Sequence, residues 1–296
     1  MQFGKVEDPS KIDFSLPADA KETKEILSKT KANDSFDAYI GCAKWNKADL
    51  KGFYPKGTKD ELTYYATQFN SIELNATFYN SPSINQVLTW KEKTPENFKF
   101  FPKITNTVSH YRRLTNIHEP LTHFCDAISN FEEKLGMVFL QLHDNFKPKD
   151  YDRLEKLVKE FPKSIPLAIE LRNEEWFTNE TISNQIFELF SANHISNIIV
   201  DTAGRRDMLH MRLTNSKAFI RYVGANHESD YQRLDDWVKR IVEWKAEGLQ
   251  ELYFFVHQNI ETASPLLSAH LIKNLNTALK TDLKIPVLAL EAPKLF

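Results

Sequence analysis

Short runs of apolar, β-branched and aromatic residues recur along the chain from residue 39 onward. Runs of about four to eight such residues are typical of buried strands. Eight are present, at residues 39–42, 71–75, 99–103, 137–142, 167–172, 197–201, 218–223 and 251–257. Most of the stretches between them place apolar residues at i, i+3 and i+4, as amphipathic helices do. These stretches include 62–69, 118–135, 151–161, 182–193, 231–244 and 264–279. The pattern predicts alternating strands and helices.

The spacing of the runs indicates how the strands connect. Successive runs lie about 30 residues apart, the length of a βα unit, and parallel strands need such crossovers. Eight units favour an α/β fold of the (β/α)8 TIM-barrel type. The unit at 197–218 is short, so residues 207–213 are expected to form a cramped or irregular helix. We predict a polar N-terminal extension at residues 1–37 and a single barrel domain at residues 38–296.

Polar residues interrupt the apolar runs near their carboxyl ends, where barrel enzymes keep their active sites. In SIELN, Ile72 and Leu74 are assigned to the helix-facing side, which leaves Glu73 and Asn75 facing inward. In LAIELR, the same alternation leaves Glu170 and Arg172 inward. Applied to the other runs, it predicts further inward positions at Lys103, Gln141, His143, Asp201, Arg221 and His257. A polar site is therefore expected at this end of the strands.

The predicted set supports three interpretations. Its acidic and basic side chains balance, so they could form a purely structural ion-pair network. Its carboxylates, together with His143 and His257, are also ligands that a divalent metal accepts. Without a metal, Glu73 or Glu170 could transfer protons while Arg172 and Arg221 bind an anionic group. The sequence requires no cofactor, and a divalent metal remains an alternative.

The loops that follow the predicted strands carry aromatic rings and further polar groups. Trp45, Tyr79 and Trp176 are candidates for the walls of a substrate pocket, because rings above a polar floor suit a sugar or a base. His110 and Arg113, after the third run, are candidates for substrate binding. Several of these rings could instead pack between loops and helices.

Composition narrows the class of protein. The 296 residues include 38 Lys and Arg against 40 Asp and Glu, a formal charge of −2, so no global basic field drives binding to nucleic acid or an anionic membrane. No apolar run is long enough to span a bilayer, and the N-terminus lacks a secretion signal. Cys42 and Cys125 cannot form a disulfide framework, so a cytoplasmic location is expected.

Several ordered motifs resemble the DUF72 (YecE-like) family. They include IGCAKW (40–45), SIELNATFY (71–79), ITNTVSHYRRL (104–114), AIELRNEEW (168–176), VDTAG (200–204) and FIRYVG (219–224). The resemblance runs from about residue 40 to 275 and implies a (β/α)8 barrel. The family's recurrent polar positions fall on Glu73, Asn75, His110, Arg113, Gln141, Glu170, Arg172, Trp176, Asp201 and Arg221. The resemblance thus implies an architecture and a site location, and it names no reaction.

We predict a barrel enzyme that performs acid–base hydrolysis or isomerisation on a small polar substrate, either sugar-like or anionic. Glu73 and Glu170 would share the proton transfer, and Asp201 or His143 would assist. Metal-dependent cleavage of a phosphodiester, with Arg112, Arg113, Arg205 and Arg206 facing a nucleic-acid backbone, is a second hypothesis that the acidic balance disfavours. A barrel that binds a small ligand without turnover is the third. No membrane partner is expected, and the oligomeric state stays open.

Overall fold

The strands lie where the apolar runs predict them, within two residues at each end. The computed structural model describes residues 4–31 and 35–288. Its strands, in chain order, are β1 (Asp37–Cys42), β2 (Ser71–Leu74), β3 (Lys99–Pro102), β4 (Val138–Gln141), β5 (Leu167–Glu170), β6 (Ser196–Thr202), β7 (Lys217–Gly224) and β8 (Glu251–Gln258). Each buries nearly all of its length, as strands covered on both faces do.

Helices occupy most of the connections. They are α1 (Lys21–Ser28), α2 (Glu61–Gln68), α3 (Ala76–Tyr79), α4 (Ile84–Glu92), α5 (His118–Ile128), α6 (Tyr151–Glu160), α7 (Glu175–Thr178), α8 (Glu180–Ala192), α9 (Ser229–Glu247) and α10 (Ser264–Leu279). Side chains of Asp60, Ser83 and Asn179 accept hydrogen bonds from the first turns of α2, α4 and α8, which satisfies otherwise unpaired backbone N–H groups. The helix expected at 118–135 ends at Ile128 and continues as a 3₁₀ turn.

All the strand pairs are parallel, and they form two sheets. Six strands pair in the order β1-β8-β7-β6-β5-β4, and β2 pairs with β3 separately. Between β1 and β2 the side chain of Asn70 replaces the ladder: it accepts from Ile40 N at 3.0 Å and donates to Ala38 O at 2.8 Å. Between β3 and β4 only the isolated bridges Phe100–Leu135 and Lys103–Phe139 connect the described residues. The α/β class is confirmed, but the ladder is open and does not show a closed barrel.

Strands of both sheets nevertheless surround one interior. The ring of Phe101 on β3 lies 4.9 Å from that of Tyr253 and 4.8 Å from that of Phe255, both on β8. Phe219 on β7 lies 5.3 Å from Phe255. Side chains two residues apart share a face of a strand. A residue that follows a member of this aromatic layer by two positions therefore also faces inward, at the carboxyl end of its strand.

The predicted N-terminal extension lies against the loop after β6 and against α9. Gly4 O accepts from Gly204 N at 2.9 Å. The ring of Phe14 lies 4.3 Å from the guanidinium carbon of Arg233, and Asp19 accepts from Trp244 Nε1 at 3.0 Å. Residues 1–3 and 32–34 of the predicted extension, and residues 289–296 of the predicted domain, lie outside the described part of the chain.

Within residues 4–31 and 35–288, no helix combines the length and the apolarity that crossing a bilayer requires.

Candidate active site

Arg221 on β7 joins two carboxylates that come from opposite sides of the interior. It follows Phe219 of the aromatic layer by two residues, so it shares that inward face. Its Nε and NH2 donate to the two oxygens of Glu73 on β2 at 2.9 and 2.8 Å. Its NH1 donates to Glu170 Oε2 on β5 at 2.5 Å. Both carboxylates are fully buried, so Arg221 is the centre of a charged network inside the fold.

A second chain of hydrogen bonds leads from Glu170 to Lys103. Glu170 Oε1 accepts from Gln141 Nε2 at 2.8 Å and from Arg172 Nε at 2.6 Å. Gln141 Oε1 in turn accepts from Lys103 Nζ at 2.8 Å. The amide of Gln141 therefore stands between the lysine ammonium and the carboxylate.

The two carboxylates stay ionised. Burial alone would raise the pKa of Glu73, but Arg221 and His257 outweigh it and hold that pKa well below its ordinary value. Burial opposes ionisation of Glu170 in the same way, yet Arg221 and Arg172 lower its pKa to about 2. A carboxylate with so low a pKa is a weak base and a poor proton donor at neutral pH. Both groups therefore suit anchoring and orientation better than direct proton transfer.

Lys103 differs from the two carboxylates because its surroundings disfavour its charged form. Its side chain is buried, with 6% of the residue exposed, and Nζ lies 4.1 Å from the centre of the Phe78 ring. Burial lowers the pKa of Lys103 to about 7, and the positive charge of Arg221 contributes in the same direction. Lys103 can therefore exchange a proton near neutral pH. Phe78 lies on the short helix α3 directly after β2, where the sequence places aromatic rings.

Two further groups contact Glu73. Nε2 of His257 on β8 lies 2.8 Å from Glu73 Oε2, and because an ionised carboxylate only accepts, Nε2–H is the donor. Asn75 Nδ2 donates to Glu73 Oε1 at 2.8 Å. The described hydrogen bonds of the His257 ring all use Nε2, so Glu73 fixes the orientation of the imidazole and turns Nδ1 away from the carboxylate.

A cavity of about 290 Å³ opens beside Glu73 and Asn75, and Trp45 and Tyr79 line its edge. Tyr79 is 70% exposed, and Trp45 packs edge to face on Trp90. A larger cavity of about 360 Å³ lies between α5 and α6. We assign the site to the smaller one because it adjoins the charged network, as ligand sites with convergent polar groups do.

His110 and His143 meet at the edge of the network, with ring centres 5.1 Å apart. His110 belongs to a π-helical turn, Thr107–Tyr111, a local geometry that is frequent at functional sites. Burial lowers the pKa of His110 to about 4, and His143 and Lys103 add to the effect. The imidazole of His110 is therefore neutral at physiological pH.

Asp201 does not belong to this cluster, and the expectation that it faces inward is wrong. Ile198 and Val200 lie in the interior layer, so Asp201 points the other way, towards α9. Its carboxylate accepts from Arg233 NH2 at 2.9 Å and from Trp237 Nε1 at 2.7 Å, and it also pairs with Arg206. Asp201 joins β6 to α9.

The structure removes Trp176 from the predicted pocket walls, whereas the role of Arg113 stays a prediction. Trp176 is fully buried, donates from Nε1 to Phe146 O at 2.9 Å and stacks on the Phe146 ring, so it is not a pocket wall. Arg113 is exposed and has a φ of +45°. The hypothesis of phosphodiester cleavage needs arginines that face a nucleic-acid backbone. Two of the four candidates are paired with carboxylates instead, Arg205 with Asp207 and Arg206 with Asp201.

The arrangement does not present a metal-ligand set. Over residues 4–31 and 35–288, no three His, Cys, Asp or Glu side chains are grouped so that they could hold an ion. Arg221 lies between Glu73 and Glu170 and binds both, and Asp201 is on another face of its strand. Of the donors that the sequence suggested for a divalent metal, Glu73 and His257 are in contact, but no third such donor joins them within the described residues.

Two relatives resemble the chain in sequence, and solved structures resemble it in fold. UPF0759 protein YecE of Escherichia coli strain K12 is 24% identical over 272 residues, which cover 84% of this chain and 97% of that protein. UPF0759 protein YunF of Bacillus subtilis strain 168 is 23% identical over 71% of this chain and 84% of that protein. A DUF72 family protein from Thermotoga maritima MSB8 superposes with a TM-score of 0.66 at 26% identity, over 81% of this chain and 99% of that one.

A second solved structure agrees in fold. A DUF72 family protein from Enterococcus faecalis V583 has a TM-score of 0.67 at 21% identity and covers 81% of this chain and 95% of its own. None of these descriptions names a reaction or a substrate. The family model described as "Protein of unknown function DUF72" matches residues 39–289, as the motifs predicted. The chain therefore belongs to the DUF72 family.

Proposed function

We propose that this protein is a (β/α)8-barrel enzyme that performs acid–base chemistry, hydrolysis or isomerisation, on a small anionic substrate. The observation that carries the proposal is the buried network of Glu73, Arg221 and Glu170 at the carboxyl ends of the strands. Barrel enzymes bind their substrates at this end. Burying ions costs several kcal/mol each unless they are fully paired, which favours a functional reason for placing them there.

The charge of the cluster favours an anion. Glu73 and Glu170 are balanced by Arg221 and Arg172, so a proton on Lys103 adds a net positive charge. The Arg172 side chain is 15% exposed, so it lies at the edge of the network and is partly accessible to solvent. Guanidinium groups bind carboxylates and phosphates through charge-assisted hydrogen bonds. The cavity of about 290 Å³ beside Glu73 is at the small end for ligand pockets.

Proton transfer is assigned to His257 rather than to either carboxylate. In this role Glu73 orients the imidazole, as the acidic member of a catalytic triad does. Glu170 anchors Arg172 and Arg221, and His143 assists at the rim. Asp201 has no part in the reaction, because it lies against α9.

We also propose a cytoplasmic location. Cys42 and Cys125 are both free and buried, which suits a reducing compartment.

Calorimetric titration tests the anion site. We expect gluconate or inorganic phosphate to bind and glucose to bind more weakly. Arg172→Met should weaken anion binding about 10- to 100-fold, the value of one lost charge-assisted hydrogen bond, and Glu170→Gln should weaken it through Arg172. Lys239→Met, which removes an exposed charge on α9, is the matched control. Unchanged anion affinity in both site variants would contradict the assignment.

Isotope exchange distinguishes an enzyme from a binding barrel. A bound sugar acid or oxo acid is incubated with the protein in deuterated water, and proton magnetic resonance follows exchange of carbon-bound protons. Exchange that His257→Gln abolishes, with binding retained, would support turnover. Tight binding without exchange or product would favour the non-catalytic barrel.

A further inference from the structure

Lys103 has no part in the proton transfer proposed for His257, yet it is buried beside the charged network, where it bonds to Gln141, and that burial is costly. It follows β3 directly, two residues beyond Phe101 of the interior aromatic layer, and so faces the same interior. A buried lysine amine that is kept close to neutrality is a common nucleophile in enzymes.

The partners of Nζ leave the amine weakly held. Its described hydrogen bond runs to the neutral amide oxygen of Gln141 at 2.8 Å, while both oxygens of Glu170 accept from other groups. The Phe78 ring lies at 4.1 Å on another side and gives the ammonium partial compensation. Among the described residues, Lys103 thus has no direct contact with a carboxylate of the kind that would keep a buried lysine charged.

Lys134 offers a comparison within the same chain, because it is buried to a similar extent. Its Nζ donates to Lys91 O at 2.8 Å and to Thr94 O at 2.7 Å, and it lies 3.4 Å from Thr94 Oγ1. Three oxygens use the three donors of an ammonium group. Burial lowers the pKa of Lys134 as well, but three oxygens hold its ammonium group, whereas the described hydrogen bond of Lys103 is to Gln141 alone.

Charged groups from several elements face Lys103. Arg221 and Arg172 disfavour its charged form, Glu170 and Glu73 favour it, and burial lowers the pKa of Lys103 to about 7 overall. His110, in the loop after β3, is neutral at this pH. An exposed lysine titrates near 10.4, so at pH 7 the fraction of neutral amine is about 1,000-fold higher at Lys103.

We propose that Lys103 is a nucleophile that forms an imine with a small aldehyde or ketone whose anionic group binds at Arg172. The amine nitrogen attacks the carbonyl carbon, and one amine proton moves to the oxygen to give a carbinolamine. The hydroxyl then leaves as water with the second amine proton, and a C=N bond replaces the C=O bond. This inference rests on the proposed anion site and names the substrate class: a carbonyl compound that carries a carboxylate or a phosphate.

Reductive trapping of the full chain tests the proposal. Glyoxylate, an aldehyde with a carboxylate, and acetaldehyde, which lacks one, are each added with sodium cyanoborohydride at about pH 7, where ordinary lysines stay protonated. Peptide mass spectrometry then measures the adduct on each lysine. We expect the glyoxylate adduct to concentrate on Lys103 and to be absent from Lys134. Lys103→Arg should abolish it.

The outcomes separate this inference from the proposed function. Glyoxylate trapping that Arg172→Met abolishes, with acetaldehyde trapping retained, supports both. Equal trapping of the two aldehydes at Lys103, unaffected by Arg172→Met, keeps the nucleophile and contradicts the anion site. Arg172-dependent glyoxylate binding by calorimetry, with no more adduct on Lys103 than on exposed Lys239, overturns the nucleophile and leaves the proposed function standing.

Discussion

Replacing Lys103 with methionine should make the protein more stable at neutral pH, although it removes a polar contact. Burial, with Arg221 nearby, lowers the pKa of Lys103 to about 7, against an ordinary value of about 10.4. Carrying the lysine into the fold therefore costs about 4 kcal/mol at pH 7, at roughly 1.36 kcal/mol per pH unit. Methionine has a similar length and no charge, so it removes this cost.

Two local terms modify that figure. Gln141 is buried, and its Oε1 accepts from Lys103 Nζ at 2.8 Å; an unpaired buried acceptor costs about 1–3 kcal/mol. The methionine side chain would lie over the Phe78 ring, which is 4.1 Å from Nζ in the wild type, and sulfur–aromatic contacts contribute about 0.3–1.5 kcal/mol. The net expectation is a gain of about 1–3 kcal/mol in the free energy of unfolding at pH 7.

The gain should depend on pH with a defined sign. The folded amine loses its proton near pH 7 and the unfolded amine near pH 10.4, so between these values the unfolded chain binds more protons. Wild-type stability therefore rises with pH across this window, relative to a variant without the amine. The advantage of Lys103→Met is largest at and below about pH 7 and disappears by about pH 10. Urea denaturation of both proteins at several pH values measures the difference.

A variant that is less stable than the wild type at pH 7 would refute the argument, and so would a stability difference that stays constant from pH 7 to pH 10. Lys134→Met is the matched control. Because Lys134 donates to the carbonyl oxygens of Lys91 and Thr94, its removal should destabilise the protein at every pH in this range.

Three further predictions concern the buried charges. Arg221→Met removes the guanidinium that Glu73 and Glu170 share and leaves Glu73 without an arginine partner, so it should cost about 3–5 kcal/mol or prevent folding. Lys217→Met, at the other end of β7 in a partly exposed pair, should cost less than about 1 kcal/mol; similar losses would contradict the role of Arg221. The pKa of Glu170 is lowered to about 2 from 4.5, so its stabilising contribution, up to about 3 kcal/mol, is present above about pH 4.5 and is lost as pH falls towards 2. Thermal unfolding should show a shallower acid dependence for Glu170→Gln, and parallel curves would exclude this contribution. Trp237→Phe removes the 2.7 Å hydrogen bond to Asp201 and should lower the free energy of unfolding by about 1.5–3 kcal/mol in urea; an unchanged value would show that Arg233 and Arg206 satisfy Asp201 alone.

Strand positions and most inward-facing residues follow from the sequence because both depend on local periodicity. In β7, Phe219 and Arg221 share a face, and in β8 Phe255 and His257 do, so polar residues one step beyond the apolar layer must converge. The same alternation places Lys103, Gln141 and Glu170 correctly. Which of them pair depends on distances across the interior, and no local pattern specifies those distances.

Asp201 shows where periodicity fails. Ile198, Ile199 and Val200 are consecutive apolar residues, so both faces of β6 look alike in the sequence, as in a strand buried on both sides. Its partner Arg233 lies 32 residues away on α9, and nothing local marks the pair. The prediction that Trp176 is a pocket wall is wrong for a different reason. An aromatic ring at the start of α7 gives the same sequence pattern whether it lines a cavity or packs inside the fold on Phe146.

The distribution of charge bears on the alternative that the cluster is only a structural ion-pair network. The charges of Glu73 and Glu170 are already balanced by those of Arg221 and Arg172. A purely structural ion-pair network would need no further charged residue. Lys103 adds a further ionisable group and pairs with the neutral oxygen of Gln141. Burial and two neighbouring guanidinium groups disfavour its charged form. A residue that costs stability and improves no existing pair is retained more readily for a ligand than for the fold. The Lys103→Met measurement therefore separates the two explanations, because a structural network predicts that the substitution is destabilising.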